Sequence, residues 1–317
     1  MTATWLHRYA VFVSAMTFVL LCAGALVTGT GSGLAVPDWP LSFGKFFPEL
    51  VGGVLFEHGH RLVAGSVALF TVILCALIFG FEKRRYIRTL SACAVGAVLL
   101  QASLGGLTVL LRLPRSVSVA HACLAQLFFS ITVVLVVVTG PTWQSLSLPI
   151  IDRGLPKLRH LALATSIAFF LQLMLGAIVR HNGAGLAIPD FPLAFGGIIP
   201  PEFDFKIAIH FAHRIGALTV VALTTWTAVL IFRRHPDQTV LTFWVGLLLS
   251  VVANQIMLGA MVIWLRRPVP LTTAHLAVGA LCLAFSIVVT LQVYRRAWLS
   301  QLWESKMRFG FRFEVST

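Results

Sequence analysis

Four histidines recur at matched positions of two similar stretches of the chain: His60, His121, His213 and His275. Each stretch supplies one histidine from each of two apolar segments, so two imidazoles can face each other across a haem iron. A single histidine in an apolar segment is more often a packed structural residue, but four at duplicated positions favour ligation. Zinc or copper fits less well, because no cysteines or additional carboxylates accompany them.

One acidic residue distinguishes the two stretches. Glu57 lies three residues before His60, whereas His210 occupies the corresponding position before His213. Residues three apart share one face of a helix, so Glu57 is expected beside the haem of its own half. A carboxylate there can accept a proton, orient water or stabilise a developing cation. The alternative is that Glu57 marks the water-side end of a helix, where an acid also interacts favourably with the helix dipole.

Arginines follow two of the histidines directly: Arg61 comes after His60, and Arg214 after His213. A planar guanidinium can bond both oxygens of a carboxylate, so these side chains suit the propionates of a haem. Further candidates lie in short connections: Arg112, Arg115, Arg266 and Arg267.

The histidines are preceded by two nearly identical loops, GSGLAVPDWPLSFG and GAGLAIPDFPLAFG. Glycines and prolines recur at the same places, which indicates a shaped loop and not a disordered linker. Asp38 and Asp190 follow the matched prolines. A conformational role, as the cap of a turn, is favoured over catalysis for both.

The elements that carry these residues are apolar segments long enough to cross a membrane. The chain is 58% hydrophobic and 11% charged, which no soluble domain of this size requires. An all-α integral membrane protein is predicted, because backbone polar groups in lipid must be satisfied internally. The eight predicted helices span 9–29, 57–80, 89–111, 117–139, 160–179, 208–232, 240–265 and 272–294.

The duplication extends through four helices in each half. QASLGG at 101–106 resembles QIMLGA at 255–260, and SVSVAHACLAQ resembles PLTTAHLAVGA. Four is an even number, so we expect two tandem four-helix bundles related by a pseudo-two-fold axis along the membrane normal. The predicted divisions are an N-terminal half at 1–139, a cytoplasmic linker at 140–159, a C-terminal half at 160–294 and a cytoplasmic tail at 295–317.

The net charge is +13, and the positions of the lysines and arginines indicate how the chain is oriented in the membrane. Most lysines and arginines fall on one side of the eight-helix arrangement, and the positive-inside rule places both termini in the cytoplasm. The protein is therefore expected in the cell membrane, surrounded by lipid. This distribution argues against nucleic-acid binding. The basic residues on that side are Arg8, Lys83, Arg84, Arg85, Arg88, Arg153, Lys157, Arg159, Arg233, Arg234, Arg295, Arg296, Lys306, Arg308 and Arg312.

Taken together, the chain resembles the heme A synthase family over nearly its whole length. The resemblance rests on the duplicated four-helix half, the GSGLAVPDWP loop, the EHGHR stretch at 57–61 and the Ala-His pairs ending at His121 and His275. Members of that family oxidise a methyl group of heme O to a formyl group, giving heme A for cytochrome oxidase.

The resemblance implies a role for each matched residue. His60 and His121 would ligate the substrate haem in the N-terminal half, and Arg61 would contact it. The C-terminal half would hold a haem b cofactor through His213, His275 and Arg214. Glu57 would be the acidic residue at the catalytic site. Heme O synthase and cytochrome oxidase are the partners that the family implies, and a homo-oligomer stays open.

The chain departs from some family members in its cysteines. Those members have a cysteine pair in the outer loops, whereas all five cysteines here fall within predicted helices: Cys22, Cys75, Cys93, Cys123 and Cys282. A mechanism that needs an outer-loop disulfide is therefore excluded, and electrons must follow another route.

Two other functions use parts of the same pattern. A di-haem b membrane cytochrome that only transfers electrons needs the four histidines but not Glu57. A transporter built from parallel repeats would need broken helices around a midplane polar site, and few charges lie near mid-span.

Overall fold

The computed structural model describes residues 4–144, 149–150, 152 and 155–308, and in this part of the chain the regular structure is helical. Eight helices are long and apolar enough to cross a membrane. At 1.5 Å per residue, each exceeds the length needed for a hydrocarbon core of about 30 Å. These helices are α1 (Thr4–Gly29), α2 (Gly53–Phe81), α3 (Arg85–Leu110), α4 (Arg115–Thr139), α6 (Leu158–His181), α7 (Phe205–Arg234), α8 (Thr239–Trp264) and α9 (Val269–Arg308). The protein is an all-α integral membrane protein.

The predicted helices are all present, but several extend beyond the predicted ends. α1 and α2 begin at Thr4 and Gly53, and α9 continues to Arg308, through part of the predicted tail. A hydropathy pattern marks only the apolar run, whereas backbone hydrogen bonding continues into polar residues. The short helix α5 (Pro141–Gln144) lies in the predicted linker 140–159. Part of that linker lies outside the described residues, namely 145–148, 151 and 153–154, which include Arg153. The tail beyond 308, which includes Arg312, also lies outside them.

The helices pack as two groups of four. In the N-terminal bundle (α1–α4), α1 packs on α2 and α4, and α3 packs on the same two helices. In the C-terminal bundle (α6–α9), α6 packs on α7 and α9, and α8 does likewise. The division of the chain into functional halves and the two-fold axis between them stay predictions.

The two bundles meet along α1, α4, α6 and α9. Their shared core contains Phe129 and Val133 of α4 packed with Ala280 and Ala284 of α9. Small residues four apart on α9 allow close approach of the helix backbones. A polar contact reinforces this interface, because Arg180 donates from Nη2 to the carbonyl oxygen of Ala25 at 2.6 Å.

Two long loops connect the first and second helices of each bundle. The first long loop covers residues 30–52 and the second covers 182–204. Each has a turn with consecutive residues at positive φ, such as Phe43 and Gly44 in the first loop. The carboxylate of Asp38 accepts hydrogen bonds from both of their backbone N–H groups, at 2.7 and 2.8 Å. Asp190 does the same in the second loop, at 2.8 Å to each. Both aspartates thus have the conformational role expected from the sequence.

Candidate functional site

Each of the four matched histidines contacts a glycine on the preceding helix of its bundle. A Cβ atom added to Gly24 or Gly105 would lie 3.2 Å from Cε1 of His60 or His121, respectively. The corresponding distances are 3.2 Å from Gly176 to His213 and 3.1 Å from Gly259 to His275. Such spacing is tighter than an ordinary van der Waals contact, so a larger residue at any of these glycines would require the imidazole to shift by a few tenths of an ångström. The same arrangement therefore occurs four times.

The imidazoles form one pair in each bundle. His60 on α2 and His121 on α4 are close enough to interact electrostatically, and so are His213 on α7 and His275 on α9. The Nδ1 atoms of His60, His121 and His275 are buried and have no hydrogen-bond partner among the described residues. Buried polar atoms of native proteins nearly always have a partner, so these unpaired nitrogens indicate that a ligand binds there in the functional protein.

Glutamines lie beside three of the four histidines. Gln172 donates to the carbonyl oxygen of His213 at 2.8 Å and lies 3.0 Å from its Nδ1 atom. Gln101 donates to the carbonyl oxygen of His121 at 3.0 Å, and its Nε2 is 3.3 Å from the imidazole Nε2. Gln255 lies beside the ring of His275, with 3.4 Å between the two Nε2 atoms. The repeated QASLGG and QIMLGA segments contain two of these glutamines, but sequence analysis assigned them no role.

Glu57 is buried, with 3% of its surface exposed, and is held by the first long loop. Its Oε2 atom accepts a hydrogen bond from the backbone N–H of Val36 at 2.8 Å, and its Oε1 atom forms a salt bridge with Arg61 at 2.6 Å. His210 is placed in the same way, since its Nδ1 atom accepts from the backbone N–H of Ile188 at 3.2 Å. The residue type differs between the halves, but the contact with the loop is shared.

The arginines predicted to bind propionates are engaged with the loops. Arg61 donates to the carbonyl oxygens of Asp38, Leu41 and Val36, at 2.7, 2.9 and 3.2 Å. Arg214 makes the matched contacts in the second loop, with the carbonyl oxygens of Leu193, Asp190 and Ile188. Both guanidinium groups therefore fix the fold of a loop over the end of a helix. Binding of propionates by these arginines stays a prediction.

The other arginine candidates lie at helix ends. Arg112, Arg266 and Arg267 have positive φ in the short connections that follow α3 and α8. Arg115 begins α4 and lines an open groove of about 450 Å³ between α4 and α6, together with Cys123, Met174 and Asn182. The five cysteines are all free, and each lies in a helix.

The N-terminal bundle has two loop contacts that sequence analysis did not identify. Ser42 Oγ lies 2.8 Å from Nδ1 of the buried His58. The indole of Trp39 lies against α3, where a Cβ atom on Gly106 would be 2.7 Å from the ring. The second copy has Ala194, Phe211 and Ala260 at the positions of Ser42, His58 and Gly106. These differences between the copies are the sequence signal from which the two contacts could have been predicted.

The histidine pairs suit a metal that brings most of its own ligands. Within the described residues, no three side chains of His, Cys, Asp or Glu are grouped as a site for a bare metal ion. A haem supplies four nitrogens from its porphyrin and needs two axial ligands from the protein, which is the number of imidazoles that each bundle offers.

Comparisons with known proteins show the family of the chain. The profile of the family COX15-CtaA, described as cytochrome oxidase assembly protein, matches residues 49–287. The chain is 28% identical over 273 residues to proteins named "Heme A synthase" from Bacillus cereus (strain G9842) and Bacillus mycoides (strain KBAB4). Each match covers 84% of this chain and 86% of the relative. The chain therefore belongs to the COX15-CtaA family of cytochrome oxidase assembly proteins.

Proposed function

We propose that this protein is a heme A synthase, which oxidises a methyl group of heme O to a formyl group by successive hydroxylations. The observation that carries the proposal is the pair of imidazoles in each bundle, every one of them seated against a glycine of the preceding helix. The relatives support it, because they are named "Heme A synthase" and the chain matches them over most of their length. Each hydroxylation replaces one C–H bond of the methyl carbon by a C–O bond to oxygen from water, and it releases two protons and two electrons, of which the electrons pass to an external one-electron acceptor. The geminal diol formed by the second hydroxylation loses water to give the aldehyde.

The N-terminal bundle is the proposed site of heme O, with His60 and His121 as its iron ligands. It is the half whose buried carboxylate, Glu57, lies one helical turn from a ligand. The loop contact between Ser42 and His58 is also specific to this half, because the second copy has Ala194 and Phe211 at these positions. Trp39 lies against α3, and its counterpart Phe191 contacts Trp264 of α8.

Glu57 is proposed to act on the proton that is released when oxygen is added to the methyl carbon. Its carboxylate is oriented by the N–H of Val36 and by Arg61, so its oxygens occupy fixed positions. A fixed carboxylate can accept a proton or stabilise developing positive charge without reorganising. Arg61 would then release or share its hydrogen bond as the proton arrives.

The C-terminal bundle is proposed to hold haem b through His213 and His275. The residues fit this group, because His275 has a buried Nδ1 atom without a partner and both imidazoles have the space that glycine provides. When bound, haem b supplies reversible one-electron chemistry. His213 and Gln172 hold one side of this site, and His275 and Gln255 hold the other.

The proposed location is the cell membrane, with both termini in the cytoplasm. The basic residues near the ends of α2, α7 and α9 support this orientation through the positive-inside rule. Both long loops and the starts of α2 and α7 would then lie on the outer side. Heme O synthase would supply the substrate, and cytochrome oxidase would receive the product.

A second candidate is a di-haem b cytochrome that only transfers electrons. One observation favours it: Glu57 and His210 make the same loop contact, so Glu57 has a structural role that needs no catalysis. In that case the two bundles would differ only in the details of their loops.

Haem identification separates the candidates. The haems would be extracted from the purified protein and identified by pyridine haemochrome spectra and mass spectrometry, for wild type and for His60→Ala. A synthase yields haem b together with heme O or its oxidised products, and His60→Ala loses the latter while retaining haem b. Two equivalents of haem b in the wild type, with neither heme O nor product, would support the cytochrome.

A further inference from the structure

The glutamine next to each iron-ligating histidine is missing at one of the four positions. Gln101, Gln172 and Gln255 each lie four residues before the glycine that contacts their histidine. Leu20 lies four residues before Gly24, which is the glycine that contacts His60. The pattern of glutamine and glycine one helical turn apart is thus present on α3, α6 and α8 and incomplete on α1.

Leu20 cannot replace the contacts of a glutamine. It is partly buried and packs against the core of the N-terminal bundle. Its side chain has no hydrogen-bond donor, and no side chain of the described residues hydrogen-bonds to the ring of His60. The rings of His121, His213 and His275 each have a glutamine Nε2 atom within 3.4 Å. At the matched place in the C-terminal bundle, Gln172 lies 3.0 Å from Nδ1 of His213 and also donates to its carbonyl oxygen. His60 is therefore the least restrained of the four imidazoles.

A hydrogen bond between a metal-ligating histidine and a neighbouring side chain fixes the orientation of its ring. Loss of such a partner typically weakens metal binding by about ten- to hundredfold. A ring without the partner turns away from the metal more easily, because less of its freedom has been removed in advance.

We propose that His60 is the ligand that leaves the iron, because Leu20 stands where the other three positions have a glutamine. The coordinate bond between the iron and His60 breaks, and its electron pair returns to the ring nitrogen. Gln101, Gln172 and Gln255 are then positioning residues that keep the other ligands in place. This inference rests on the proposed function, and it gives the substrate site one fixed ligand, His121, and one that opens.

An opening ligand gives the N-terminal bundle two properties that the C-terminal bundle lacks. A sixth position on the substrate iron becomes accessible while the haem stays held by His121. Release of product also becomes faster, since only one ligand remains to be broken. In the C-terminal bundle, both His213 and His275 have a glutamine beside them, which suits a haem that stays bound.

Carbon monoxide binding tests the proposal without measuring turnover. The purified protein, loaded with heme O and haem b, is reduced with dithionite and mixed with carbon monoxide, which binds only where an axial ligand leaves. We expect binding at the heme O of the wild type, at a rate that falls about tenfold or more in Leu20→Gln. Leu20→Met is the matched control, because methionine has similar volume and no donor, and it should behave like wild type.

The reciprocal variant keeps the test decisive if Leu20→Gln does not fold. Gln172→Leu should make the haem b of the C-terminal bundle reactive with carbon monoxide, because it removes the amide group that lies 3.0 Å from Nδ1 of His213. Equal rates for wild type and Leu20→Gln, or an unreactive haem b in Gln172→Leu, would overturn the inference. Conversion of heme O is scored separately: its absence in wild type contradicts the proposed function, whereas its presence with unchanged carbon monoxide rates contradicts only the role of the glutamines.

Discussion

The backbone N–H of Val36 donates a hydrogen bond to Oε2 of Glu57 at 2.8 Å, which joins the first long loop to the start of α2. The matched contact in the C-terminal bundle joins Ile188 to His210 at 3.2 Å. Both residue types can accept this bond, so loop attachment does not explain why one copy has a carboxylate. The negative charge of Glu57, which forms a salt bridge with Arg61, is the difference between the copies, and it lies in the half proposed to bind the substrate.

Replacement of Glu57 by Gln separates its charge from its loop contact. Glutamine keeps an oxygen that accepts from Val36 but cannot take up a proton. We expect conversion of heme O to fall by about a hundredfold to ten-thousandfold, with heme O still bound. The measurement is heme A formed per bound heme O, by mass spectrometry. His210→Gln is the matched control, since it tests the same loop contact in the other half. A full rate in Glu57→Gln would remove the catalytic role.

Space at Gly259 is expected to control haem b binding. In Gly259→Ala, the new Cβ would lie 3.1 Å from Cε1 of His275 and would push the imidazole out of position. A displaced ligand should lower affinity for haem b by about tenfold or more, measured as the haem-to-protein ratio after purification. Gly246→Ala on the same helix is the control, because nothing lies within 4 Å of its added Cβ. Equal loss of haem in both variants would indicate a general effect on α8.

The contact of Trp39 with Gly106 is expected to hold the first long loop against α3. A Cβ atom on Gly106 would lie 2.7 Å from the indole, so Gly106→Ala must displace the tryptophan. We expect faster proteolytic cleavage within residues 30–52 and unchanged cleavage of the second loop. Gly96→Ala, also on α3, has no atom within 4 Å of the added Cβ and serves as the control. Unchanged cleavage in Gly106→Ala would show that Trp39 does not hold the loop.

Acid is expected to loosen both long loops through their aspartates. The backbone N–H groups of Gly44 and Phe43 hold the pKa of Asp38 below its usual value of 3.8, and Gly196 and Phe195 lower the pKa of Asp190. A lowered pKa means that the stabilisation is complete above the usual value and is lost as pH falls through the folded value. Hydrogen-exchange protection of segment 38–45, corrected for intrinsic exchange, should therefore fall below about pH 4 in the wild type.

The Asp38→Asn variant tests the source of this acid sensitivity. Asparagine has no carboxylate to protonate, so segment 38–45 should already be less protected at pH 7 and should show little further loss in acid. Segment 190–197 provides an internal control within the same molecule, because Asp190 is unchanged. An acid transition of wild-type size in segment 38–45 of the variant would assign the sensitivity to another group.

The sequence predicted the helices well, because they depend on local patterns, whereas ligation by the histidines stays a prediction. An apolar run of sufficient length must become a helix in lipid, and the duplication identifies His60 and His213 as equivalent. The contacts of Arg61 were not predictable in this way. Its position after His60 suggested propionates, whereas the fold turns the guanidinium towards three loop carbonyls. Which partner a long side chain reaches depends on where the loop folds, and no spacing rule contains that information.

The positions of Gln101 and Gln255 were visible in the repeat, but their contacts with the histidines depend on how the helices pack. A polar residue one turn before a glycine becomes a histidine partner only when the neighbouring helix brings an imidazole to that glycine. The exception at Leu20 became informative for the same reason, since it could be compared with three completed positions.

Conversion of heme O by the purified protein tests the central claim most directly. Wild-type protein containing haem b would be supplied with heme O and a soluble one-electron acceptor, and the haems would then be extracted and weighed by mass spectrometry. The account predicts heme A, preceded by a hydroxylated form of heme O, with haem b unchanged in amount. Recovery of unaltered heme O beside haem b, from protein that binds both, would contradict it.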